Sequence, residues 1–155
     1  MPVPGEQFKR FFPGLVPVEE AIWRRFLLEH EMEFDRFEYN VFVGEGVRTA
    51  ERPLTGDTKL DEKLREQFRR ATQRKVDVVA IQGGARWVFE VEERPGARAL
   101  GQVLIYAGLL PRTFLVPGPL VLAVVGERIQ PDTRPIFEAL GVRVFIHPPP
   151  PRKRG

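Results

Sequence analysis

The sequence predicts a single α/β domain, an α+β fold built on a mixed sheet, and three observations carry that expectation. A Gly83-Gly84 pair between two alternating apolar runs marks an antiparallel hairpin, because glycine tolerates the positive φ values of tight primed turns. The segment PLVLAVVG, residues 119–126, is a continuous apolar run of the kind buried on both faces of a parallel sheet. Segments before and after the hairpin repeat their apolar residues at helical spacing, which sets helices against that sheet. At 155 residues the chain suits one domain of the usual size, about 100 to 150 residues. The expected organisation is an extended arm over 1–16, the domain over 17–147, and a Pro-rich basic tail over 148–155.

The elements follow in order. Residues 1–14 are rich in Pro, Gly and Phe without a period. Pro17 suits the first turn of a helix, and from Val18 to Met32 the residues Val18, Ile22, Trp23, Phe26 and Leu27 fall on one broad face. Glu19 falls in the middle of that face, where a carboxylate needs a partner, an arginine in the ordinary case. Phe34 to Gly44 alternates, with Phe37, Tyr39, Val41 and Val43 on one side, and reads as a strand. Residues 46–59 carry turn chemistry throughout. Residues 60–75 form an amphipathic helix with Leu60, Leu64, Phe68 and Ala71 inward and Lys63, Arg65, Arg69, Arg70 and Arg74 outward. After the hairpin a mostly apolar helix runs from Ala97 to Leu110, with Arg98, Gln102 and Tyr106 aligned at i, i+4, i+8. Residues 119–126 are then a buried strand. Asp132 caps a short helix with Pro135 in its first turn and Gly141 at its end. VRVFIH, residues 142–147, alternates as a last strand, parallel to the previous one through a right-handed crossover.

The hairpin holds the suspicious chemistry. With Gly83-Gly84 as the loop, Gln82 faces Ala85, and counting outward sets Asp77 opposite Glu90 and Lys75 opposite Glu92. These four side chains share a face with Val79, Ile81 and Val88. Like charges about 5 Å apart across a ladder repel. Protonation, a cation or strong hydration relieves such a fault, and the apolar neighbours make a divalent metal the favoured remedy.

Composition narrows the classes further. The absence of cysteine excludes disulfides and thiolate zinc or iron-sulfur sites. The N-terminus has no long apolar core, and no apolar run approaches about 18 residues, so a cytoplasmic protein without a membrane partner is expected. The net charge is +3 and the pI about 9.6. An arginine-rich basic population suits phosphate. High arginine and proline with a single asparagine, Asn40, suit equally a heat-adapted protein with surface ion pairs. Neither His30 nor His147 has a partner at a spacing that suggests a histidine nucleophile or a zinc site, and Gly44 to Gly46 is too short for a phosphate loop.

The order of helix with inward Glu, strand, strand with Asp, strand with Glu-x-Glu and helix with Gln-x-x-x-Tyr, followed by strand, helix and strand, resembles the restriction-endonuclease-like PD-(D/E)XK nucleases. The core order is α-β-(α)-β-β-α-β-α-β, and Gln102 to Tyr106 is similar in particular to the RecB-like branch. The resemblance implies that Asp77 and Glu90 bind Mg²⁺ (or Mn²⁺), with the Val91 carbonyl and Glu19 as further ligands. It implies that Gln102 and Tyr106 line the nucleic-acid side. The motif lysine is replaced by Glu92, and Lys75, across the ladder, offers an ammonium in its place.

The expected function is Mg²⁺-dependent hydrolysis of phosphodiester bonds in DNA. In that reading Lys75 or Glu92 orients the nucleophile, while Arg98, Arg69 and Arg70 grip the backbone. A homodimer or larger complex is an expected arrangement, since small nucleases of this class often need a second copy to span a duplex. The alternatives are a catalytically inactive member of the fold that binds nucleic acid or serves as a subunit of a larger complex, and a heat-stable scaffold whose carboxylates pair with arginines.

Overall fold

A computed structural model of the chain describes residues 5–46, 55–114 and 118–154. The expected loop between strand and second helix falls largely outside these residues, as does Gly155. The elements are α1 (Pro17–His30), β1 (Arg36–Val43), α2 (Thr58–Thr72), β2 (Arg74–Gln82), β3 (Ala85–Val91), α3 (Ala97–Thr113), β4 (Leu120–Gly126), α4 (Arg134–Ala139) and β5 (Val142–Ile146). Their chain order is the one expected. The five strands lie side by side as β1-β2-β3-β4-β5. β1, β2 and β3 are antiparallel, and β4 and β5 are added in parallel. The sheet is therefore mixed.

Alternation along the central strands builds two cores. Val78, Ala80, Trp87, Phe89, Val91, Ala123 and Val125 face α1 and the N-terminal segment. Val79, Val88 and Val124 face the other way, against α3 and α4. On the first side Trp23 is fully buried and meets Phe26, Phe37, Tyr39 and Phe89 at centroid distances of 4.8 to 6.3 Å. Truncating such a ring costs about 3 to 5 kcal/mol. Trp23 Nε1 also donates to the Tyr39 hydroxyl (3.0 Å), which donates to Glu6 Oε1 (2.8 Å). Burial pushes the Tyr39 hydroxyl well above the usual phenol range.

The structure corrects four local expectations. The first concerns the arm, which is not loosely extended. Phe12 and Leu15 are core residues, and Glu6 is 2% exposed. A 3-10 turn at Glu6–Phe8 is pinned when Gln7 N–H donates to Glu31 Oε2 (3.1 Å) and Arg24 Nη1 donates to the Gln7 carbonyl (2.7 Å).

The second is the alternation of β1, which breaks at Asn40. That residue takes φ 53, a left-handed conformation asparagine tolerates better than most. Phe37 and Tyr39 consequently pack on the α1 side, whereas Val41 and Val43 pack on the α3 side.

Third, α2 is turned over from its predicted setting. Leu60, Leu64 and Phe68 are 37 to 46% exposed, Ala71 is exposed, and the inward stripe is Asp61, Arg65 and Arg69. Asp61 is buried because its carboxylate accepts from the Thr55 N–H (2.8 Å) and hydroxyl (2.7 Å). The fourth is the cap of α4. Its N-cap is Thr133 rather than Asp132; Asp132 accepts from the Thr133 hydroxyl instead.

Among the described residues, no helix is long and apolar enough to cross a membrane.

Candidate metal-binding carboxylate site

The Gly83-Gly84 loop sets the expected register. The ladder runs from Gln82↔Ala85 to Val78↔Phe89, which brings Asp77 and Glu90 to the next rung. There the regular pattern stops. Asp77 Oδ2 accepts the Val91 N–H at 2.9 Å, so a carboxylate takes the place of a main-chain acceptor. On the other side of β2, pairing runs through Tyr39↔Val78 and Val41↔Val76, which leaves Asn40, with its left-handed backbone, at the level of Asp77.

The Asp77 and Glu90 carboxyls interact directly, each perturbing the other's ionisation. Burial is the main reason both carboxyls are pushed up, Asp77 to about 6 and Glu90 to about 9, and the nearby charges of Glu19 and Glu92 act in the same direction. Glu90 is 7% exposed. Its Oε2 is fully buried and has no hydrogen-bond partner among the described residues. An unsatisfied buried carboxylate oxygen is costly and marks a position that a ligand would satisfy.

Glu19 sits in the first turn of α1, half-buried, where its carboxylate accepts the Val16 N–H at 3.1 Å. This is the reciprocal half of a capping box, and Val18 beside it is exposed. Glu19 therefore acts on Asp77, Glu90 and Glu92 through its charge. The three expected acidic ligands are not drawn into one tight cluster, since their oxygens do not all lie within 4.8 Å of one another.

Glu92 follows β3, half-buried. Burial raises its pKa, and the Arg98 charge and a hydrogen bond from Gly96 N–H oppose the shift. The turn that carries it packs on Gly126, where a Cβ would lie 2.4 Å from Pro95 Cδ and 2.7 Å from the Glu92 carbonyl oxygen. Only glycine leaves room there.

Lys75 does not reach Glu92. β3 ends at Val91, and the Glu92 N–H turns to the Val125 carbonyl of β4 (3.0 Å). Lys75 is exposed on the β1 side, its ammonium 5.1 Å from the centre of the Phe42 ring. The expected cross-strand ammonium is thus absent, and the cation acting on Glu92 is Arg98.

Of the α3 stripe, the Arg98 charge acts on Glu92 and Tyr106 lies within the field of Glu90 and Asp77. Gln102 Oε1 is buried and has no partner among the described residues. Tyr106 is 3% exposed and donates its hydroxyl to the Lys75 carbonyl at 3.0 Å. It buttresses β2 beside Asp77 and does not line an open nucleic-acid surface; burial and the Glu90 and Asp77 charges hold its hydroxyl well above the phenol range. Arg69 and Arg70 are tied to Glu66 at 2.6 and 3.2 Å, and Arg69 also donates to the Glu45 carbonyl. The Val91 N–H is committed to Asp77.

The structure also assembles side chains that looked isolated in sequence. Among the described residues, Glu29, His30 and His147 form the group of ionisable side chains whose ligand atoms all lie within 4.8 Å of one another. No local signal in the sequence links the end of α1 to the end of β5.

Comparison with known proteins adds no activity. No family model matches the sequence, and no curated protein matches it. A solved structure similar to the chain is the crystal structure of a protein of unknown function, AF1548, with 13% identity and a TM-score of 0.45. The match covers 82% of this chain and 56% of that one, so the chain spans little more than half of that protein's length.

Proposed function

We propose that the chain is a Mg²⁺- or Mn²⁺-dependent nuclease that hydrolyses phosphodiester bonds of DNA, with Asp77 and Glu90 as metal ligands and Glu19 completing the acidic set. The observation that carries this reading is the pairing of half-buried Asp77 with buried Glu90, whose Oε2 has no partner among the described residues. An all-oxygen donor set favours a hard divalent ion over a softer one. Such an ion, when bound, supplies charge neutralisation and water activation at a phosphate.

The chain's own residues provide the remaining roles. Glu92, with its raised pKa, is placed to take a proton from the attacking water, and Arg98 beside it offers a guanidinium to the phosphate. Gln102, one turn further along α3, holds a buried amide oxygen with no partner among the described residues. The turn after Glu92 opens on a cavity of about 490 Å³ whose largely apolar wall of Pro95, Ile129 and Pro131 carries two arginines, Arg94 and Arg128, that suit a neighbouring phosphate.

Incubation of supercoiled, linear and single-stranded DNA with Mn²⁺ tests the reading. Cleavage is expected in the wild-type protein and should stop in Glu90→Ala and with chelator. A second reading, a non-catalytic nucleic-acid-binding subunit of a larger complex, is favoured by the position of Lys75, whose ammonium lies over the Phe42 ring and not beside Glu92. Intact DNA of every form, with salt-sensitive binding retained, would select it.

A further inference from the structure

We propose that the chain carries a second metal site of different chemistry at the far end of α1, formed by Glu29, His30 and His147 and suited to Zn²⁺. His30 is the last residue of α1 and His147 follows β5. Their rings meet edge to face with centroids 5.9 Å apart. The Glu29 carboxylate reaches both, with Oε2 3.7 Å from His30 Nε2 and Oε1 3.9 Å from His147 Nδ1. A tetrahedral zinc with bonds of about 2.0 to 2.2 Å holds its ligand atoms about 3.4 Å apart. With one ligand atom from each side chain, the three atoms lie within 4.8 Å of one another, so the site closes to that spacing by shifts of at most about 1.4 Å, within reach of the exposed Glu29 side chain.

The imidazoles are held as ligands are held. His30 Nδ1 is hydrogen-bonded to the Glu33 carboxylate, which leaves Nε2 facing Glu29 and the site. A carboxylate behind a ligating histidine fixes its tautomer and orientation. Phe26 stacks on His30 at 4.7 Å and meets His147 edge-on at 5.8 Å, and Phe145 lies 5.2 Å from His30. The His147 backbone is fixed at both ends, its N–H on the Gly126 carbonyl (2.8 Å) and its carbonyl on Arg25 Nε (3.1 Å). His147 is 7% exposed, while the Glu29 side chain is 67% exposed and leaves an entry path and a fourth position for water.

This site is separate from the carboxylate site in donors and in place. Two imidazole nitrogens and one carboxylate prefer zinc to magnesium, and eleven residue steps along α1 separate His30 from Glu19, about 16 Å along the axis. A metal here staples the end of α1 to the end of β5, from which the exposed segment 148–154 departs.

The test is a titration of the metal-stripped protein with Zn²⁺ against a chromophoric zinc indicator, with thermal unfolding alongside. One equivalent should leave the indicator and raise Tm. Glu29→Gln and His30→Gln should each weaken binding at least tenfold, and Glu33→Gln about tenfold through the His30 tautomer. Asp77→Asn should bind zinc as the wild type does. Because Glu29 is exposed, Glu29→Gln is expected to keep the wild-type circular dichroism. No zinc taken from the indicator overturns the proposal, and so does binding that survives in Glu29→Gln and His30→Gln or is lost in Asp77→Asn.

Discussion

Replacing Glu90 with glutamine keeps the shape of the side chain and removes its charge. Burial, the Asp77 charge and the shared hydrogen bond push the Glu90 carboxyl from 4.5 to about 9. A carboxyl whose folded pKa stands above its unfolded value keeps its proton in the fold after the unfolded chain has lost it. Its contribution to stability is therefore full below about pH 4.5 and is lost as the pH rises towards 9. At about 1.4 kcal/mol per pH unit for one proton, the rise from 4.5 to 7 removes on the order of 3 kcal/mol. Denaturant unfolding of wild type and Glu90→Gln between pH 4.5 and 8.5, without metal, measures this. The wild type should lose stability across the range. The variant should retain only the smaller fall due to Asp77, which ends near pH 6, and should match or exceed the wild type above pH 7. Parallel profiles for the two proteins would refute the reasoning, because Glu90 would then ionise in the fold as it does in water.

Further outcomes follow from individual contacts. Asp77→Ala leaves the buried Val91 N–H without its acceptor and should cost about 1 to 3 kcal/mol in chemical unfolding; Asp77→Asn keeps an acceptor oxygen and should cost less, while both abolish DNA cleavage. Tyr106→Phe removes the hydroxyl that holds the Lys75 carbonyl and should lower stability by about 1 kcal/mol by the same measurement. Gly126→Ala forces a methyl into Pro95 and the Glu92 carbonyl, which should cost about 1 to 3 kcal/mol and displace Glu92 enough to reduce the cleavage rate. Lys75→Ala should leave that rate within about twofold, whereas Arg98→Ala should lower it at least tenfold, a loss of about 1.4 kcal/mol.

Features set by local chemistry were legible in the sequence. The Gly83-Gly84 loop fixes the hairpin register, and that register alone brings Asp77 to Glu90. Continuous apolarity over residues 119–126 identifies a strand buried between two parallel neighbours. The i, i+4, i+8 spacing aligns Arg98, Gln102 and Tyr106 along α3, and the first and last of them interact electrostatically with the carboxylates. What escaped depends on single dihedral angles or distant contacts. One left-handed residue, Asn40, reverses the faces of β1. The amphipathic pattern of α2 predicts Leu60, Leu64 and Phe68 inward, yet the hydrogen bonds of Asp61 and the contacts of Arg69 turn the polar stripe in. Lys75 loses Glu92 because β3 ends one residue earlier and Glu92 follows β4. His30 and His147 become neighbours only when the sheet sets β5 beside the end of α1.

Calorimetric titration with Mn²⁺ at pH 7, in two buffers of different ionisation enthalpy, tests the central claim most directly. A pair with one carboxyl at about 6 and the other at about 9 carries about one proton at that pH, and a bound divalent ion must displace it. The expected result is a saturable site that releases close to one proton and is lost in Asp77→Asn. Absence of binding at millimolar Mn²⁺, or a site that Asp77→Asn leaves unchanged, would contradict it.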